Sequence, residues 1–537
     1  MKTTFYIILL AVMNAFAAYR MCAEWEPAIG TLIKWQLGIP IELVYELAKD
    51  DKLYVLLQNE VEQNDATYVF NFYNVNMDNV EFIFAPTNSH WTRDWGPVSL
   101  FDEAKMFIGD PIFDGYPWVS GGNKNLKGYE EDDLINTYVS EYLNIDYMHI
   151  PAYFTGGNTL TDGNGTIFFT EQMIDENLQI MGEDQFFKIL EDSLGLSTIH
   201  VLPNPEIYGI QHIDCWVKMI DEETVLIKEL PSWHPEYDSY INILNFFNSI
   251  QTCYGRDFNI YSIFSGSYNG NETAAYTNSL TLNKKVYVPL FGIPEDEAAI
   301  ETYQNVMPGY DIVGIYYNNW YYYDALHCRT REIIDPEMIQ IIHRIPDKFA
   351  SGEDDFYISC KVNNYSNFPL DLDNSTLYYR INSSDWIGVT LTERNHSLEA
   401  IIPSQANGSI IDYYFEISNL NGKIQTKPEV APDNYYSFTV NDLGIEDNGI
   451  LDVKLKAYPN PFNPDTEISF ILEKKSSVKL VILNAQGQVI KTLLNGSMPK
   501  GNHFVKLQAD NSFSSGVYFC QIEIESKIGV EKILLLK

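Results

Sequence analysis

The strongest constraint on the fold is a change of texture at Ile345-Pro346-Asp347. From about Glu24 to Arg344, apolar β-rich runs alternate with amphipathic stretches; beyond that point the helical periodicity stops. Val80-Glu81-Phe82-Ile83-Phe84, Thr166-Ile167-Phe168-Phe169 and Val286-Tyr287-Val288-Pro289-Leu290 read as strands, being rich in β-branched and aromatic residues. Residues 135–142 and 184–194 read as amphipathic helices. Alternation of the two predicts an α/β domain over residues 22–345, with no fixed-period repeat visible. Residues 356–440 instead carry short alternating strands, such as Ser375-Thr376-Leu377-Tyr378-Tyr379-Arg380 and Ile411-Asp412-Tyr413-Tyr414-Phe415, separated by Asn, Ser, Gly and Pro. That pattern predicts an immunoglobulin-like β-sandwich over residues 350–441. After a linker at 441–449, residues 450–537 hold 11 Lys against 8 Asp and Glu, a net +3 within a chain of −38, leaving −41 for the first 449 residues. A charge reversal at a linker marks a boundary, and the terminal segment reads as a second β-sandwich.

The acidic balance, 73 Asp and Glu against 35 Lys and Arg, argues against nucleic acid or an anionic membrane as partner and favours cationic ligands. Solubility alone accounts for the same balance. Lys2 precedes an apolar run over residues 5–18 that ends in the small-x-small site Ala15-Phe16-Ala17, which predicts a secretory signal peptide over residues 1–17. The run is too short to span a bilayer, no later stretch is long and apolar enough, and Cys22 lacks the small residues a lipid anchor needs before it. Six dispersed cysteines form no disulfide framework, and no C-x-x-C or Cys/His spacing suggests structural zinc.

The terminal segment carries Tyr458-Pro459-Asn460-Pro461-Phe462-Asn463-Pro464, then Ser515-Gly516-Val517-Tyr518-Phe519, and ends in Lys532-Ile533-Leu534-Leu535-Leu536-Lys537. It resembles the C-terminal sorting domain of type IX secretion substrates. The resemblance implies export machinery as a partner and a secreted or cell-surface location.

Four segments of the α/β region carry chemistry: Trp91-Thr92-Arg93-Asp94-Trp95-Gly96-Pro97, Gly209-Ile210-Gln211-His212-Ile213-Asp214-Cys215-Trp216, Tyr276-Thr277-Asn278-Ser279-Leu280 and Ala325-Leu326-His327-Cys328-Arg329-Thr330-Arg331. As a strand, the second would turn His212 and Asp214 to one face and Cys215 to the other, into packing. Cys328 stands among residues whose positive charge would favour its thiolate. Each piece has a plain structural reading: Asp94 as the partner of Arg93, His212 as a satisfied core histidine. Together, carboxylates that bind a cation, an imidazole that moves protons and a thiol that attacks carbon suit a guanidinium substrate. Asp94 and Asp214 would grip its N–H edges, and its charge would stabilise the Cys328 thiolate.

These segments, with Ala23-Glu24-Trp25-Glu26-Pro27 and Phe154-Thr155-Gly156-Gly157-Asn158, resemble the agmatine deiminase and bacterial peptidylarginine deiminase family of guanidino-modifying enzymes. The resemblance implies a pentein fold, a five-bladed α/β propeller with an axial site, and a hydrolase acting on C–N bonds without metal or organic cofactor. It makes Cys328 the nucleophile, His212 the general acid and base, Asp94 and Asp214 the guanidinium ligands and Asn278 a support for the cysteine. Trp91 and Ile210 would flank the substrate stem. The Ala-Leu-His-Cys-Arg-Thr stretch is closer to the peptidylarginine branch, whose substrate is an arginine-containing peptide. In that branch, arginines after the Asp-containing turn hold a terminal carboxylate; here none occurs between Arg93 and Arg256, leaving Lys124 and Lys127 as replacements. The alternatives are an exported deiminase of a small guanidine (agmatine or free arginine), a non-catalytic surface binding module, and a thiol protease. The last is disfavoured because carboxylates suit a cation rather than an oxyanion.

Overall fold

The helices lie where an apolar stripe recurs at helical spacing. In Ile41–Asp50 the residues Leu43, Val44, Leu47 and Ala48 form one fully buried face. Glu60–Phe72 starts where the Asn59 side chain accepts from the amides of Val61 and Glu62, satisfying two of the unpaired N–H groups at the helix end. The computed structural model describes residues 6–9, 19–116, 128–207, 209–345, 355–440 and most of 455–535. They form two compact units. One comprises residues 1–348, 355–404 and 409–439; the other comprises 349–354, 405–408 and 440–537.

In the first unit, five sheets repeat one connectivity. A short strand pairs antiparallel with a longer one, which then pairs parallel with a third across a helical connection, the link that parallel pairing requires. The sheets open with Val98–Phe101, Leu160–Thr161, Val217–Asp221, Leu280–Leu282 and Arg331–Ile334. The last closes a ring in sequence, because Arg331–Ile334 pairs with the early strand Ala28–Lys34, itself parallel to Lys52–Leu57. Val80–Phe84 adds a fourth strand there, and Arg20–Met21 edges the sheet of Val98–Phe101. Of the region expected to be a signal peptide, Tyr6–Leu9 pairs antiparallel with Thr198–Leu202, and the rest lies outside the described residues.

The strands and helices read from the sequence form as Val80–Phe84, Thr166–Thr170, Lys285–Leu290, Ile135–Leu143 and Glu183–Leu194. The same unit continues into two all-antiparallel sheets. One joins Ile339–Ile342, Phe356–Asn364, Ser397–Ile402 and Thr392–Arg394; the other centres on Leu370–Ile381 and Ile410–Asn419. Ion pairs tie the second of these sheets to the α/β part, Lys427 to Glu222 at 3.0 Å and Lys423 to Asp335.

The second unit has a three-stranded and a four-stranded antiparallel sheet around Ile468, Phe470, Leu480, Ile482, Cys520, Ile522 and Ile533. The Asn460 side chain accepts from the Leu534 amide at 2.7 Å and donates to the Lys532 carbonyl at 2.7 Å, while the Phe462 amide donates to the Leu534 carbonyl at 2.8 Å. The described part of the Tyr-Pro-Asn-Pro-Phe segment is thus stitched to the terminal strand Lys527–Leu535.

Candidate active site

A tight turn lies just before the opening strand of each of the five sheets, and every candidate polar residue sits on one. Asp94 is in the single helical turn Thr92–Trp95, and Gly157 in the 3-10 turn Gly156–Asn158. Asp214 is in Ile213–Cys215, with His212 at its start, and Cys328 is in His327–Arg329. Asn278 closes a turn in which its amide donates to the Ala275 carbonyl at 3.0 Å. A side chain at the end of a tight turn is fixed by the strand that follows, so the sheets act as rigid mounts.

The side chains are buried and meet. Asp94, Asp214 and Cys328 are each 2% exposed, and His212 and Asn278 are fully buried. Asp94 Oδ1 lies 3.4 Å from His212 Nδ1 and accepts the Gly157 amide at 3.0 Å, while its Oδ2 accepts from the Tyr116 hydroxyl. Asn278 donates Nδ2 to Cys328 Sγ at 3.3 Å and accepts the Cys328 amide at 3.3 Å. Cys328 Sγ is 3.6 Å from Asp214 Oδ2. Gly157 is required where it stands: a Cβ there would lie 2.6 Å from Asp94 Oδ1, 2.8 Å from His212 Nδ1 and 3.2 Å from Asp214 Oδ2. Trp91 packs edge-on to Tyr116 with centroids 5.2 Å apart, and both join Ile210 in the apolar cluster that includes Cys328.

Behind these groups lies a layer of buried charge. His327 bridges two carboxylates, Nδ1 at 2.8 Å from Asp214 Oδ2 and Nε2 at 3.0 Å from Glu24 Oε2. Glu24 also accepts from Lys218 Nζ and the Thr281 amide, each at 2.8 Å. Arg93 pairs with Glu332 at 3.0 Å. Buried ions tolerate such sites only when paired and hydrogen-bonded, and these are. Burial pushes the Asp214 carboxyl up, but the bond and charge of His327 outweigh it and hold the group below its ordinary range. Burial would likewise depress His212; the neighbouring Asp94 charge reverses this and raises it.

Two sequence readings are corrected. Gly209–Trp216 is not a strand. Gln211 takes the left-handed conformation at φ 65°, and Ile213–Cys215 is a 3-10 turn, so period-two alternation does not apply. Cys215 is fully buried, but its thiol does not turn away: Sγ is 3.4 Å from Asp214 Oδ1 and 3.8 Å from Asn278 Nδ2. Nor do neighbouring cations favour the Cys328 thiolate. Arg329 is spent on Asp324, at 2.9 and 2.8 Å, and Arg331 donates to the Pro97 carbonyl at 2.9 Å. Burial, helped by the charges of Asp214, Asp324 and Asp94, pushes the Cys328 thiol up to about 12 against the easing effect of Cys215.

The sequence reading assigned no role to Tyr116, Gly157, Glu24, Lys218 or His327. Gly157 and Glu24 stood in quoted motifs, where a doubled glycine signals close backbone approach; Tyr116 carried no local signal. Lys124 and Lys127 lie outside the described residues. Arg256 is committed to Glu223 and to the Ile345 carbonyl at 3.0 Å.

Known proteins bear out the family resemblance. Residues 20–333 match the Porphyromonas-type peptidyl-arginine deiminase family, and residues 456–536 match the secretion system C-terminal sorting domain. Relatives carrying the name "Putative agmatine deiminase" include one from Legionella pneumophila, 27% identical over 253 residues, covering 44% of this chain and 70% of the relative. One from Vibrio parahaemolyticus is 27% identical over 266 residues, covering 44% and 72%. The solved agmatine deiminase of Enterococcus faecalis shares the fold with a TM-score of 0.51 at 19% identity, covering 60% of this chain and 98% of that one. The chain therefore belongs to the Porphyromonas-type peptidyl-arginine deiminase family and carries a secretion-system sorting domain at its C-terminal end.

Proposed function

We propose that the chain is an exported deiminase that hydrolyses the guanidinium of arginine residues in peptides to citrulline and ammonia. The observation that carries this reading is a buried thiol, imidazole and pair of carboxylates, mounted on three turns, in which the positive charge of the neighbouring Arg329 and Arg331 is directed to Asp324 and the Pro97 carbonyl rather than to the sulfur. A bound guanidinium supplies that charge. Asp94 and Asp214 accept its N–H groups, and its approach lowers the cost of ionising Cys328. Cys328 releases its proton to solvent, the thiolate attacks the central carbon, and the tetrahedral adduct expels ammonia with a proton from His212, leaving a thiouronium on Cys328. His212 then takes a proton from water, whose oxygen bonds the same carbon. Collapse releases citrulline and restores the thiol. Asn278 aligns the sulfur, and Trp91 and Ile210 flank the aliphatic stem. No metal or organic cofactor enters these steps.

Export through a type IX route after signal-peptide removal, supported by the sorting domain, favours a peptide substrate. The relatives' names favour the second reading, a small guanidine such as agmatine. The convergence of five turns supports five blades with the site on their axis, and the sheets of residues 356–439 support an immunoglobulin-like sandwich. Assaying ureido product and ammonia from arginyl peptides, free arginine and agmatine tests the function. Peptides are expected to show the highest kcat/KM, with no product from Cys328→Ala. Turnover of agmatine alone selects the second reading, and product from Cys328→Ala rejects both.

A further inference from the structure

Cys215 takes no part in the deimination steps, yet it stands at the nucleophile. Its Sγ is 3.4 Å from Asp214 Oδ1, Cys328 Sγ is 3.6 Å from Asp214 Oδ2, and the ligand atoms of the three residues lie within 4.8 Å of one another. Two sulfurs and a carboxylate are the donor set of a thiophilic divalent ion. With metal–sulfur bonds of about 2.3 Å and metal–oxygen bonds of about 2.1 Å, tetrahedral geometry sets sulfur and oxygen about 3.6 Å apart. Each sulfur has close to that spacing from one oxygen of Asp214, Cys215 from Oδ1 and Cys328 from Oδ2, so an ion between the sulfurs would draw on both carboxylate oxygens. Asn278 Nδ2 contacts both sulfurs, at 3.3 and 3.8 Å, and fixes them as a pair. Asp214 is oriented by His327, which is in turn held by Glu24, the kind of outer support that metal-binding carboxylates use.

We propose that Asp214, Cys215 and Cys328 form an inhibitory site for a thiophilic divalent cation of the Zn2+ or Cd2+ type. Each thiol releases its proton to solvent as its bond to the metal forms; nothing is oxidised or reduced. The ion occupies the nucleophile and a guanidinium-gripping carboxylate together, so binding and turnover are mutually exclusive. Inhibition rests on the proposed deiminase reading, whereas ion binding does not.

The test uses the full chain carrying Cys253→Ser, which removes an exposed thiol, kept reduced by a phosphine. Cadmium chloride is titrated while the sulfur-to-cadmium charge-transfer absorption is followed. One ion per chain is expected. Cys328→Ala should lose most of the band, and Cys215→Ala should bind more than about tenfold more weakly, since even outer-layer partners of metal ligands are worth that much. Zn2+ inhibition of citrulline release, referred to each variant's own uninhibited rate, should weaken by the same factor in Cys215→Ala. Cys215→Ser gives the same comparison if the alanine variant does not fold. Equal Cd2+ affinity with and without Cys215, or no charge-transfer band in the parent, overturns the proposal. A chain that binds Cd2+ as expected but makes no citrulline refutes the deiminase reading and leaves the ion site standing.

Discussion

Cys328 rests as a thiol because burial pushes its ionisation up to about 12 and the nearest charges are carboxylates. The sign gives a pH dependence. A group whose charged form is disfavoured ionises only as pH rises toward the raised value, so alkylation of ligand-free Cys328 by iodoacetamide should climb through pH 10 without a plateau. An arginine analogue that places a guanidinium beside Asp94 and Asp214 without alkylating should lower that requirement. A plateau near neutrality in peptide-level mass spectrometry would show that the chain makes its own thiolate. The two carboxylates carry the opposite demand. Asp94→Asn and Asp214→Asn each leave a buried substrate cation under-compensated, at a cost of about 2–5 kcal/mol, roughly 30-fold to several thousand-fold in kcat/KM. Near-parental kcat/KM in either variant would remove that residue from the substrate site. The residue types of this cluster were legible in the sequence because few substrates call for Cys, His and two Asp together. The partners of Cys328 were not: the sequence shows Arg329 and Arg331 beside it, but only the fold shows Arg329 turned to Asp324 and Arg331 to Pro97.

The repeat at the scale of elements was invisible in the sequence for a measurable reason. The opening strands begin at 98, 160, 217, 280 and 331, so successive intervals are 62, 57, 63 and 51 residues. Connections between strands vary in length and helix number, and nothing recurs at a fixed spacing. The single strands and helices were readable because each buries its own apolar face. The 3-10 turn at Ile213–Cys215 was misread as a strand because a run this short has no resolvable period. The turn Gly156–Asn158 shows how closely the mounts approach. Gly157→Ala would thrust a methyl group between Asp94, His212 and Asp214, within 3.2 Å of all three. We expect it to reduce kcat/KM by at least about 100-fold, the scale of a 1 Å misplacement in a catalytic constellation. A variant that folds and retains parental kcat/KM would show that the three groups need not be held at this spacing.

For the whole molecule, the charge change from a −41 segment to a net +3 segment leads the sequence to expect a boundary at 441–449, and the second compact unit takes up residues 440–537. The joining of the α/β sheets and the following antiparallel sheets into one compact unit was not legible there, because it depends on contacts such as Lys427 with Glu222, 205 residues apart. Residues 450–537 hold none of the site's groups, so deleting them should abolish delivery to the cell surface while leaving citrulline formation by the purified protein within about twofold, a change below 0.5 kcal/mol. Loss of turnover on deletion would place part of the activity in the sorting domain.

The central claim is that Cys328 bonds to the guanidinium carbon. Acid-quenching the protein during turnover of an arginyl peptide, followed by mass spectrometry of the digest, should find the substrate, less ammonia, attached to the peptide containing Cys328. Turnover without that adduct, or an adduct on Cys215 or Cys253 instead, contradicts the account.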